Sequence, residues 1–244
     1  MNLIIGRKPV LEAINSGEKI EQVYILYGQQ GKIIETIRIV AKKRGIKCNQ
    51  IPLEKFRTLI QERTAQGVAA VKPLHKFSSP DEIISDAKKD SSPLILILDS
   101  IQDTHNVGAI LRTAECSGVN GVLITKHNSA PINSTVVKTS AGATEHIKIA
   151  QINNLANTID LLKENGFWIV GSTLENAKPY AEIDYKMPVA LIVGNEEKGI
   201  RKLTADKCDF LVKIPMTGKL QSLNVSVATG ILLFHIQQQR GAAG

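Results

Sequence analysis

Leu94-Ile-Leu-Ile-Leu98, followed by Asp99-Ser-Ile-Gln-Asp-Thr-His-Asn-Val-Gly-Ala-Ile-Leu-Arg-Thr-Ala114, decides the fold class. The first five residues are apolar without alternation, as in a parallel strand covered on both faces. The residues after the polar turn place Val107, Ile110, Leu111 and Ala114 at helical spacing. Gly121–Thr125, Phe167–Ser172 and Val189–Val193 repeat the apolar run, and Phe210–Ile214 adds another. Helical patterns over Val107–Ser117 and Leu155–Asn165 lie between them. Strand and helix alternate, so the pattern predicts an α/β fold with a parallel sheet and helices on both faces. Such sheets bind ligands at the carboxyl ends of their strands. The residues that follow each apolar run are therefore the ones to inspect.

Upstream of Leu94 the character changes. The chain has 244 residues, with 30 Lys and Arg against 23 Asp and Glu. The whole excess of +7 lies within residues 1–75, and residues 76–244 are balanced at 17 against 17. Lys42, Lys43, Arg44 and Lys47 form a basic cluster. A basic module beside a neutral one suggests a domain that docks on a polyanion; a solvated basic face is the plainer alternative. Aromatic residues make up only 4%, so phosphate contact and RNA shape would carry recognition, rather than a stacking platform. The module reads as a small α/β unit. Helices are expected over Pro9–Ile14, Gly31–Arg44 and Leu53–Ile60, and strands over Val23–Tyr27, Cys48–Ile51 and Val68–Val71. Ser78, Ser79, Pro80, Ser91, Ser92 and Pro93 punctuate a linker around a short helix, Asp81–Lys88. The expected domains are 1–75 and 94–244, joined by 76–93.

Composition excludes several classes. Hydrophobic residues at 43% and charged residues at 22% fit a globule rather than a disordered or fibrous chain. No apolar run nears the ~18 residues of a membrane span, and the opening residues lack a secretory pattern, which points to the cytoplasm. The three cysteines form no CxxC pair and read as reduced, mostly buried thiols. The five histidines show no metal-ligand spacing, so no metal is expected. GxxxxGK[ST], GxGxxG and GxSxG are all missing.

Three loops remain. After the first strand, Asn106 is suited to cap a helix, Gly108 allows close backbone approach, and Arg112 stands on an otherwise apolar helix. Burying Arg112 would require an anion, either a ligand or a structural carboxylate. After Val189–Val193, two glycines bracket a polar turn, Gly194-Asn-Glu-Glu-Lys-Gly199. After Phe210–Ile214, a polar loop runs to Ser222-Leu-Asn224, and either Ser222 or Asn224 reads as an N-cap for the helix that follows.

Taken together, these loops resemble the motifs of the SpoU (TrmH-like) branch of the SPOUT RNA methyltransferases. Asn106-x-Gly108-x-Ile110-x-Arg112-x-Ala114 looks like the first motif, and Gly194-Asn-Glu196-x-x-Gly199 like the second. Ile214-Pro-Met through Ser222-Leu-Asn224-Val-Ser226 looks like the third. Gly6-Arg-Lys-Pro-Val-Leu-Glu-Ala13 resembles the substrate-binding domain often fused to this family. The full pattern is most similar to the bacterial enzymes that methylate a guanosine 2′-hydroxyl in 23S ribosomal RNA.

The resemblance implies a C-terminal domain with a deep trefoil knot, a homodimer whose active sites draw on both subunits, and S-adenosylmethionine held in the knot. By position, Gly194, Ile214 and Leu223 would line the donor site, with Thr173 and Leu174 beside them. Arg112 would activate the ribose hydroxyl, Asn106 would position it, and Glu196 would orient the site or assist proton movement. Ser222 and Asn224 would shape the pocket. The expected partner is ribosomal RNA. The alternatives are a tRNA 2′-O-methyltransferase, an rRNA methyltransferase that confers antibiotic resistance, and a non-catalytic RNA-binding or ribosome-assembly protein.

Overall fold

A computed structural model describes residues 2–60, 65–72, 75–195, 199–220 and 222–241. The chain divides into two compact units, Met1–Leu74 and His75–Gly244.

The first unit runs β1 (Asn2–Ile5), α1 (Arg7–Asn15), β2 (Gln22–Leu26), α2 (Lys32–Lys43), β3 (Lys47–Ile51), α3 (Leu53–Leu59) and β4 (Val68–Lys72). Its sheet has the order β1-β4-β2-β3. β4 pairs antiparallel with both neighbours, and β2 pairs parallel with β3. One core joins Val10, Ile14, Ile34 and Ile37 of α1 and α2 to Val23 and Ile25 of β2. A second gathers Phe56 and Ile60 with Ile51 and Ala69. The expected helices and strands are found with ends shifted by a residue or two. β1 is additional: Asn2–Ile5 is too short to show a period.

The second unit continues with α4 (Pro80–Ala87), β5 (Leu94–Asp99), α5 (Thr104–Cys116), β6 (Gly121–Thr125), α6 (Ser134–Thr139), β7 (Ile149–Ile152) and α7 (Leu155–Glu164). It ends with β8 (Trp168–Ser172), β9 (Lys178–Pro179), β10 (Val189–Gly194), α8 (Lys202–Ala205), β11 (Phe210–Lys213) and α9 (Val225–Gln239). All seven strands are parallel, in the order β7-β6-β5-β10-β8-β11-β9. Every residue of β5, β6 and β10 is buried, as their unbroken apolar runs predict. Along β5, Leu94, Leu96 and Leu98 enter the core beneath α5 and α9, while Ile95 and Ile97 enter the core beneath α4 and α7. Each such side chain contributes about 1.5–3 kcal/mol over its exposed state.

Within 76–93 the expected helix, Asp81–Lys88, is present as α4, shifted by one residue. Ser79 caps α4, its hydroxyl accepting from the Glu82 amide at 3.1 Å, and Pro80 fills the first turn. Ile83, Ile84 and Ala87 are then buried in the second core. The same Ser-Pro pair that marks a loop also marks a helix start. The cysteines are more open than expected: Cys116 is exposed, and Cys48 and Cys208 are half-buried.

The register fixes where the strands end. Gly194 of β10 lies beside Asp99 of β5. Ser172 ends β8 beside Val212 of β11. Four carboxyl ends therefore share one edge of the sheet, and the three motif loops leave from it.

Candidate active site at the carboxyl edge of the sheet

Gly194 is the pivot of this edge. A Cβ placed on it would lie 2.2 Å from the carbonyl carbon and oxygen of Gly199 and 2.4 Å from the Ile200 nitrogen. The turn closes through the Gly199 amide, which donates to the Asn195 carbonyl at 2.7 Å, with Gly199 at φ +61°. No larger residue fits at Gly194, and Gly199 occupies the left-handed region that glycine tolerates. The two glycines of the motif thus bend the chain back on itself immediately after β10. Asn195 also reaches the first loop, its amide 3.5 Å from the Ser100 carbonyl.

Beside this turn opens a pocket of about 710 Å³, within the usual size of small-molecule sites. Thr173 and Leu174 line it from the loop after β8, Gly194 from the end of β10, and Ile214, Ser222 and Leu223 from the loop after β11. All five residues expected to hold the donor, together with Ser222, therefore share one cavity. Glu175 and Asn176 also line it. They lie in a loop without helical or strand period, so nothing in the sequence marked them.

The first and third loops meet through their asparagines. The Asn224 amide donates to Asn106 Oδ1 at 3.0 Å. Asn224 caps α9, its Oδ1 accepting from the Ser226 amide at 2.9 Å. Of the two candidates for that cap, Asn224 is the one used, and Ser222 faces the pocket. Asn106 does not cap α5. The helix begins earlier, and Asp103 is its cap, accepting from the Asn106 amide at 2.8 Å. Gly108 makes the close approach expected of it toward α6, since a Cβ there would sit 2.6 Å from the Thr139 Cβ.

Arg112 is exposed, so α5 does not pay the cost of burying a cation. It pairs with no carboxylate among the described residues, and it is not among the residues that line the pocket. Among the described residues, no carboxylate takes the place of the structural partner. Glu196 lies outside the described residues.

Sequence reasoning missed one charged cluster. Asp99, 1% exposed at the end of β5, receives Arg201 Nη2 at 2.9 Å and Arg201 Nε at 3.2 Å. Ser100 Oγ and Thr204 Oγ1 also bond it, at 3.0 and 3.4 Å. This forked contact fastens the far end of the loop after β10 to the strand beside it. The signal was an aspartate closing an otherwise apolar strand.

Comparison with known proteins identifies the assembly. The SpoU rRNA methylase family model matches residues 93–234, and the model for RNA 2′-O ribose methyltransferase substrate binding matches residues 3–77. The chain belongs to the SpoU family. A Staphylococcus haemolyticus protein named as a TrmH family tRNA/rRNA methyltransferase is 39% identical, over 99% of this chain and 97% of its own length. The YacO protein of Bacillus subtilis, named likewise, is 37% identical over the same shares. Among solved structures, an AdoMet-bound rRNA methyltransferase from Sinorhizobium meliloti is 26% identical. It covers 100% of this chain and 88% of its own, with a TM-score of 0.65. A TrmH/SpoU tRNA modifying enzyme of A. aeolicus is 33% identical, covering 66% of this chain and 82% of its own, with a TM-score of 0.58.

This SpoU chain is thus an RNA 2′-O-methyltransferase with a SPOUT-type catalytic unit. Among the described residues, no helix is long and apolar enough to cross a membrane, and no group of His, Cys, Asp and Glu could hold a metal ion.

Proposed function

We propose that this chain methylates the ribose 2′-hydroxyl of a guanosine in 23S ribosomal RNA, using S-adenosylmethionine, as a cytoplasmic homodimer. The observation that carries the rRNA target is coverage. The rRNA methyltransferase of Sinorhizobium meliloti spans the whole chain, including the basic unit, whereas the tRNA modifying enzyme of A. aeolicus spans 66% of it. The +7 charge of the first unit supplies salt-dependent affinity for RNA.

The pocket fits the donor. It is large enough, and its wall at Gly194 is bare backbone where a Cβ would collide with Gly199. Gly194, Ile214, Leu223, Thr173 and Leu174 would hold it, in loops threaded as the trefoil knot of the family. When bound, S-adenosylmethionine supplies a methyl group on a sulfonium that is already a good leaving group. The protein's task is the nucleophile. Arg112 clamps the neighbouring phosphate and stabilises the oxygen as its proton leaves. A guanidinium holds its proton firmly and is a poor base, so Arg112 acts through charge. Asn106 and Asn224 position the ribose, Glu196 orients the proton's exit, and Ser222 shapes the pocket wall. Because Arg112 does not line the pocket of its own chain, a second subunit brings the two together. The exposed Val227 and Phe234 of α9 support such an interface.

Mapping of ribose methylation in rRNA and tRNA, from cells with and without this gene, tests the proposal. Loss of one 2′-O-methylguanosine from 23S rRNA is expected. A loss confined to tRNA, or no loss, would overturn it.

A further inference from the structure

A concavity larger than the pocket beside Gly194 lies within the first unit. It measures about 1120 Å³ and is lined by α3, by Arg7 at the start of α1 and by Ala65, Gln66 and Gly67 ahead of β4. Two arginines face it, Arg7 and Arg57, and no carboxylate lines it among the described residues. Its floor is apolar, built from Leu26, Phe56 and Ile60, and Leu53 stands 46% exposed at its mouth.

Arg7 is held in place before any ligand arrives. Its Nε donates to the Gln66 carbonyl at 3.1 Å, and its Nη2 donates to Gln29 Oε1. Gln29 in turn lies flat across Gly67, where a Cβ would sit 2.6 Å from the Gln29 Cδ. Gly67 has φ +72°, so both its conformation and its contact call for glycine. The guanidinium keeps further N–H donors for an anion, and its ordering has already been met by the fold.

We infer that this cleft binds one unpaired nucleotide of the RNA, with its phosphate on Arg7 and Arg57 and its base against Leu53 and the apolar floor. The inference rests on the reading of RNA as substrate. A paired base hides its faces in the stack and offers only its edges, sugar and phosphate. A cleft that joins cations to an apolar floor matches a splayed nucleotide instead.

The test uses the full chain and two RNA probes of equal length, a hairpin with an unpaired loop and a perfect duplex. The wild type should prefer the hairpin. Arg7→Gln with Arg57→Gln should weaken hairpin binding by about tenfold or more and erase the preference. Lys19→Gln with Lys32→Gln removes equal charge from exposed positions of the same unit, and should cost only about two- to threefold with the preference retained. Ultraviolet cross-linking of the unmodified protein to the hairpin should tag the peptide containing Leu53 to Arg57, a readout independent of how the variants fold. Equal losses from both pairs, or cross-links only elsewhere, would overturn the cleft while leaving methylation of RNA intact. A wild type that binds S-adenosylmethionine but methylates no RNA would overturn the functional reading and the cleft with it.

Discussion

Asn224 and Asn106 share one amide bridge, 3.0 Å long, between the start of α9 and the first turn of α5. The Asn224 oxygen is committed to the Ser226 amide at 2.9 Å and the Ser226 hydroxyl at 2.6 Å, so its nitrogen has to point at Asn106. A capping interaction thereby sets the orientation of a site residue. Asn224→Asp keeps the cap oxygen but sets a carboxylate against Asn106 Oδ1. It should leave thermal stability near wild type and lower kcat sharply. Asn224→Ala loses the cap as well, at about 1 kcal/mol. Thermal melts beside methyl-transfer rates separate the two, and equal activity in wild type and Asn224→Asp would refute the positioning role.

Arg112 is exposed, so its removal leaves no orphaned partner among the described residues. Arg112→Ala should fold normally and bind S-adenosylmethionine as wild type does, while turnover falls by about 10²–10³-fold. Arg112→Lys keeps the charge but loses the forked geometry and should recover only part of the rate. Calorimetry with the donor, together with single-turnover methylation, reads both quantities. Near-normal turnover of the alanine variant would remove Arg112 from the mechanism.

Gly194→Ala places a methyl group 2.2 Å from the Gly199 carbonyl, too near for any rotamer to relieve. The turn must open. Donor affinity should fall by an order of magnitude or more, and stability by about 1–3 kcal/mol. Gly218→Ala, with nothing within 4 Å of the added carbon, is the matched control and should bind the donor normally. Unaltered affinity in Gly194→Ala would mean that this wall does not touch the donor.

Burial pushes the Cys208 thiol up to about 12, with Asp209 adding to the shift and Lys163 opposing it. Cys208 therefore stays protonated at pH 8, whereas Cys116 stands exposed on α5. Iodoacetamide at pH 8 should modify Cys116 rapidly and Cys208 only after unfolding. The same shift has a thermodynamic sign. An unfolded thiol titrates near ~8.5, so stability is full below that pH and declines as pH rises toward the folded value. Mass spectrometry of partially alkylated protein checks the order, and early modification of Cys208 would contradict it.

Much of the catalytic unit is legible in the sequence because its strands are buried on both faces. β5, β6, β8, β10 and β11 each stand out as apolar runs, and the loops after them carry the site. β7, β9 and α6 do not stand out. Ile149–Ile152 interrupts its apolar residues with Gln151, β9 has two residues, and α6 is made largely of β-branched side chains. Five pocket residues could be placed by resemblance to family motifs, and they fall into one cavity. Asp99 stands out as a lone carboxylate closing an apolar strand, but its partner Arg201, 102 residues away, leaves no local trace. The exposure of Arg112 could not be read either, since helical spacing tells which residues share a face but not which face stays bare.

The position of β10 bears on how the molecule comes into being. Val189–Gly194 lies in the middle of the sheet, zipped between β5, made about ninety residues earlier, and β8. A nascent chain that has just emerged through Ser172 has β5, β6 and β7 for one side of the sheet but only β8 for the other, and it lacks the strand that joins them. The catalytic unit must therefore wait until Gly194 has been made, and pairings across such long separations form slowly. For this protein, closure of the central sheet follows the synthesis of β5 to β8 rather than accompanying it.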